Sequence, residues 1–232
     1  MAIRKPKENG LRQITWAPAC LAALVCSGCV MHLDRPTEIA AGHLPRPVYS
    51  VDGGVHLAAR AEAGKIRIVD GGVTLGEGAT AKTIDTVDGP VVLERGATCR
   101  HDLSAVDGRV SLAPGGHVGG NVRTLVAGLD GHDAEIAGAI RTVSGKILLH
   151  GTTHVGKGIC LDKPRPSTDA QDEVWKRLPR VVIGPGVVVD GPIVAARGGT
   201  LWVSRQARIG AVEGIRTQWF DGATPPGPAG MK

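Results

Sequence analysis

Val51-Asp52-Gly53-Gly54-Val55-His56-Leu57 returns as Val69-Asp70-Gly71-Gly72-Val73-Thr74-Leu75, then as Val87-Asp88-Gly89-Pro90-Val91-Val92-Leu93 and Val106-Asp107-Gly108-Arg109-Val110-Ser111-Leu112. A degenerate copy starts at Leu125 and a clear one at Val143, so the steps from start to start are 18, 18, 19, 19 and 18 residues. A fixed period of this size marks a stacked-repeat architecture. One coil has to close within 18 or 19 residues, and three short strands joined by tight corners fit that length. The fold class is therefore an all-β, single-stranded β-solenoid. An amphipathic helix is excluded, because the runs alternate with period two and are cut by glycine every few residues.

Side chains of a strand alternate between the two faces, so the repeat sorts into columns. One inward column is expected at Val51, Val69, Val87, Val106, Leu125 and Val143, and a second at Val55, Val73, Val91, Val110, Leu129 and Ile147. A third follows Leu57, Leu75, Leu93 and Leu112, with Gly131 its weak member. Later in each coil Ile66, Ile84, Leu103, Val122, Ile140 and Ile159 line up. Ala63, Ala81, Cys99, Val118, Ile136 and Val155 do so after a one-residue adjustment. A slender interior of this kind explains why aromatic residues are only 3% of the chain while glycines number 34.

The repeat stops after Ile159. Residues 160–180 read as an insertion containing Pro164, Pro166 and Pro179, with a short helix opened by the capping box Thr168-Asp169-Ala170-Gln171 and running to Leu178. Residues 49–159 and 181–214 are the solenoid coils, about eight in all. Residues 215–232 read as a cap, through Trp219 and Phe220, followed by a disordered tail.

Arg4, Lys5, Lys7 and Arg12 precede an apolar stretch from Ile14 to about Val25. This is the layout of a signal peptide and is too short for a spanning helix, which needs about 20 residues. It ends in Cys26-Ser27-Gly28-Cys29, which resembles the lipobox of bacterial lipoproteins. The resemblance implies cleavage after residue 28 and lipidation of Cys29, and Val30 behind the acceptor implies sorting to the outer membrane. Residues 29–48 then read as a tether. Residues 1–28 carry four basic side chains and one acidic, so the mature chain falls from +5 to about +2. That near balance, without a basic tract interleaved with aromatics, argues against nucleic acid as a partner.

Cys99 and Cys160 belong to coils three steps apart, about 14 Å, whereas bridged α-carbons lie within about 7 Å. No disulfide is expected between them, and Cys99 reads as a small buried hydrophobe. Asp52, Asp70, Asp88 and Asp107 form a ladder at one corner. They are candidates for a cation site, although Asp-Gly is also a favoured turn pair. His132 and His150, and His117 and His154, share outward positions without the three or four converging ligands that zinc requires. No phosphate-binding loop or nucleophile elbow is present, so no cofactor and no catalytic residue are expected.

Thr142-Val143-Ser144-Gly145-Lys146-Ile147, His117-Val118-Gly119-Gly120-Asn121-Val122 and Val182-Ile183-Gly184-Pro185-Gly186-Val187 resemble phrases of the bactofilin-like, polymer-forming β-helix family. The resemblance implies a right-handed β-helix with a scaffolding or self-associating role. Bactofilins face the cytoplasm and lack a lipoprotein signal, so it does not carry over their filament role. The 18-residue spacing also resembles the hexapeptide-repeat acyltransferases, which implies a left-handed β-helix; their acyl-coenzyme A donor does not suit an exported protein. Two functions follow as expectations. The first is a non-enzymatic, lipid-anchored envelope scaffold, and the second an exported carbohydrate-binding or carbohydrate-processing β-helix that uses the Asp corner and the insertion.

Overall fold

Short alternating runs separated by glycine corners can pair only with the same run one coil away, and the chain does this throughout. The computed structural model describes residues 30–164 and 177–226. It is an all-β parallel solenoid of about nine turns, with no helix among the described residues. In chain order the first strands are β1 (Val30–Asp34), β2 (Thr37–Ile39), β3 (Val48–Asp52), β4 (Val55–Leu57), β5 (Glu62–Asp70), β6 (Val73–Leu75) and β7 (Thr80–Asp88). One ten-stranded sheet climbs through β2, β4 and β6 to the strand Thr217–Phe220, and a sixteen-stranded sheet forms the remaining faces. In β5 and β7 two faces are traversed by one nine-residue strand. From the next coil on they are split, as in Thr98–Cys99 and Leu103–Ala105.

The register confirms four of the five expected columns. Val55 pairs with Val73, Val73 with Val91, and Val91 with Val110. Leu57, Leu75 and Leu93 rise beside them, and Ile66, Ile84, Leu103 and Val122 stack on another face. All of these are at most 1% exposed. The one-residue adjustment has a location. Ala81 pairs with Cys99, eighteen residues on, but Ile84 pairs with Leu103, nineteen on. The added residue is taken up in the corner Arg100–Asp102, so the strands on either side keep their inward parity.

The Val51 column is corrected. Val51, Val69, Val87 and Val106 are 51%, 47%, 47% and 37% exposed. In β5 the last inward residues are Ile66 and Ile68, so Val69 points out, and the corner Asp70–Gly72 then resets the parity before Val73 turns inward. Alternation does not hold across this corner. Only Val143 of this column is buried, at 8%. There the returning chain crosses the corner, with Ser144 Oγ donating to Arg177 O at 2.9 Å and Arg180 N to Gly145 O at 3.0 Å.

Both solenoid ends are corrected as well. The stretch read as a tether contains β1, paired in parallel with β3, and β2, paired with β4. The ladder therefore already includes Val30, one coil earlier than expected. At the other end Thr217–Phe220 pairs with Thr200–Ser204 as a further strand, with Phe220 3% exposed and edge-on to Trp202. The cap is thus partly a rung of the ladder. The expected helix falls almost wholly on residues 165–176, outside the described residues, and Arg177 and Leu178 at its end are not helical. Residues 1–29 and 227–232 also lie outside them.

The Asp-Gly corner needs glycine for two reasons. Gly89 has φ +124°, and a Cβ there would lie 2.4 Å from Gly71 O in the coil below. Gly96, at a different corner with φ +66°, faces open space. Arg60 and Asp133 adopt similar angles without glycine, at φ 61° and 48°. Gly96→Ala is therefore expected to cost about 1 kcal/mol. Gly89→Ala, which adds a steric clash to the backbone strain, is expected to cost roughly 2–5 kcal/mol. Urea unfolding of the two variants side by side checks the order.

Candidate functional site

Three places merit attention as sites: the Asp corner, the outward polar columns and the N-terminal mouth of the solenoid. At the corner, Asp52 pairs in register with Asp70, and Asp70 with Asp88. Asp107 continues the series, its N donating to Val87 O at 2.8 Å. All four side chains are exposed. Asp107 Oδ1 accepts the following amide, Gly108 N, at 2.6 Å, the local turn contact that Asp-Gly favours. Strand spacing of about 4.8 Å keeps the carboxylates stacked rather than convergent. Among the described residues no group of three or more His, Cys, Asp or Glu is arranged to hold a metal ion. The corner is an exposed stripe in which a valine and a carboxylate repeat over four successive coils.

Several charges on the outward columns are matched between coils. Lys65 Nζ lies 2.9 Å from Asp85 Oδ2. Arg141 meets Asp162 through two bonds of 3.0 and 2.8 Å. The histidines fall in the expected pairs, His132 beside His150 and His117 separated from His154 by Glu135. Each of three faces a carboxylate: His117 Nδ1 is 3.2 Å from Glu135, His154 Nε2 is 2.7 Å from Asp190, and His132 Nδ1 is 3.5 Å from Asp133. Half-exposed pairs like these contribute about 0–1 kcal/mol each.

The most connected polar group was missed in the sequence. Asp102 Oδ1 accepts from Asn121 N at 2.7 Å and Asn121 Nδ2 at 3.1 Å, and its Oδ2 accepts from Arg123 Nη1 at 2.6 Å. Asn121 Oδ1 in turn accepts from Ala139 N at 3.0 Å. Three successive coils are tied at the corner that absorbs the added residue. The backbone amide of Asn121, with Arg123 beside it, holds the Asp102 carboxyl below its usual range. Asp133 is likewise lowered, first by the amide and then by the hydroxyl of Thr152. The signal in the sequence was faint: an Asp at one corner and an Asn nineteen residues later.

Cys99 is fully buried and unbridged, and Cys160 is free and half-buried on an outward column. Burial pushes the Cys99 thiol up to about 12, so at neutral pH it is a neutral core side chain, as its column implied.

A cavity of about 440 Å³ lies at the N-terminal mouth, lined by Thr37, Ile39, Leu44, Arg46, Val48 and Glu62 among others. None of Asp52, Asp70, Asp88 and Asp107 lines it. Among the described residues no helix is long and apolar enough to cross a membrane, and Cys29 itself lies outside them. The chain matches no protein-family model, no curated protein and no solved structure. The likeness to bactofilins therefore rests on the repeat phrases and the solenoid class.

The depressed pKa of Asp102 sets a pH dependence. Its bonds stabilise the fold above the unfolded carboxylate value of about 3.9 and are lost as pH falls through the lower folded value. Asp102→Asn is expected to lower the thermal midpoint at pH 7. The gap from the unaltered protein should shrink as pH drops below about 4, which a series of melts across that range checks.

Proposed function

We propose that the chain is a lipid-anchored structural protein of a bacterial envelope. In this reading an acylated Cys29 holds it to the outer membrane, facing the periplasm, where the rigid solenoid acts as a scaffold toward an envelope partner or a second copy of itself. The observation that supports it best is that Val30–Asp34, directly after the lipobox cysteine, is a paired strand of the solenoid. A lipid there leads straight into a paired strand, so the anchor and the stiff body form one unit. The ion pairs that bridge coils at Lys65–Asp85, Arg123–Asp102 and Arg141–Asp162 support a structural use of the faces. The reading assigns no catalysis and no cofactor to the chain.

A second reading, an exported carbohydrate-binding or carbohydrate-processing β-helix, is favoured by the exposed stripe of Val51, Val69, Val87 and Val106 beside its aspartates. A regular run of apolar contacts next to hydrogen-bond acceptors suits an extended polyol. A glycan array probed with the mature protein, with Asp88→Ala and Asp107→Ala as controls, separates the two, and binding to no glycan rejects this one.

Cys29→Ala tests the anchor. In a Gram-negative host the unaltered protein is expected in the membrane fraction with acyl label incorporated. The variant should lose the label and move to the soluble fraction. Unchanged membrane fractionation of an unlabelled variant contradicts the anchor.

A further inference from the structure

The first coil is incomplete. In later coils the ten-stranded sheet is followed by a strand on the next face, as Val91–Leu93 is followed by Thr98–Cys99. In the first coil β2 is followed instead by residues 40–47, which form no strand before β3. Glu62 and Ala63 consequently pair upward with Thr80 and Ala81 and have no strand partner below among the described residues. The missing strand leaves the cavity at the mouth, where Ile39 and Val48 continue the inward columns. Thr37 lines it too, 5% exposed, with an Oγ1 that meets no partner. On the rim, Leu44 is 75% exposed, more than any other exposed large hydrophobic residue described.

We infer that this mouth is the membrane-contacting base of the molecule. The solenoid stands on the bilayer with Leu44 dipped among the lipid acyl chains and the cavity opening at the headgroup level, where Glu38, His43, Arg46 and Glu62 line it beside Ile39 and Val48. The inference rests on the anchor reading above and adds an orientation to it. Strands β1 and β2 end their sheets at this mouth, and Val30, next to Cys29, pairs with the cavity-lining Val48. The acyl chains are thus tied to the end where the core is open. Exposed sheet edges ordinarily invite another chain, but an anchor at this edge keeps it against lipid instead. Arg35 and Arg46 are exposed at the same end, where long stems let guanidinium groups reach phosphates while their carbons lie on apolar surface. Glu38 and Glu62 are also exposed here, so the contact is led by apolar insertion rather than by net charge.

The test uses the mature, acylated chain in phosphatidylethanolamine–phosphatidylglycerol vesicles, with and without nitroxide-labelled lipid. A polarity-sensitive dye is attached to Leu44→Cys or, at the opposite end, to Gln218→Cys, both in a Cys160→Ser background. Cys99 is buried and does not react while the protein is folded. The dye at position 44 is expected to shift to the blue and lose most of its emission to the nitroxide lipid, while the dye at 218 keeps its emission. Mass spectrometry of the same sample reports the lipid on Cys29. Emission at 44 unaffected by nitroxide lipid, with Cys29 acylated, overturns the base-down orientation and leaves the anchor standing. Quenching at both positions overturns it in favour of a rod lying flat. An unacylated Cys29 together with an unquenched position 44 overturns both readings.

Discussion

Parallel in-register stacking is the constraint on which everything else depends. Each residue of a coil sits about 4.8 Å from its counterpart in the next, so a position has to suit its whole column. An inward column must be apolar and of matched size, as Val55, Val73, Val91 and Val110 are. A corner column must repeat the same backbone angle, as Gly53, Gly71, Gly89 and Gly108 do at φ 114–130°. When one coil carries an extra residue, the excess has to be confined to a corner. The corner from Arg100 to Asp102 is where Asp102, Asn121 and Arg123 are tied together.

The period, the strand class and most of the interior were legible in the sequence, because aliphatic residues recurring at a constant interval can share one interior only if their coils stack. The errors have one physical origin, which is that periodic reasoning fails where the period is interrupted. Val69 shares apolar character with Ile68, yet only Ile68 is inward, because the turn at Gly71 reverses which parity faces the core. Residues 30–39 looked like a tether because Pro36, Pro45 and Pro47 hid a coil whose strands lack the Val-Asp-Gly phrase. The network at Asp102 was invisible for the opposite reason: it occurs once, so no repetition announces it.

The same geometry shapes what the molecule offers to others. Its flat faces carry several ion pairs that bridge coils, and two other surfaces stand apart, a corner and an end. The corner is the stripe of exposed valines and aspartates. The end is the mouth of the first coil, where a missing strand leaves apolar columns without their last member. A stack of coils is stabilised by its neighbours and needs a cover at each terminus. Anchoring the chain at Cys29 would let the membrane supply the lower one.

Selective methyl labelling and NMR test the stacking most directly. In the mature protein, the account predicts nuclear Overhauser contacts linking the methyl groups of Leu57 to Leu75, Leu75 to Leu93, and Leu93 to Leu112. Val69 and Val87 should instead show solvent-exposed methyls in contact only with the valines of their own stripe and the adjoining corner. Contacts from Val69 into the Leu75 column, or a break in the leucine series between successive coils, would contradict it.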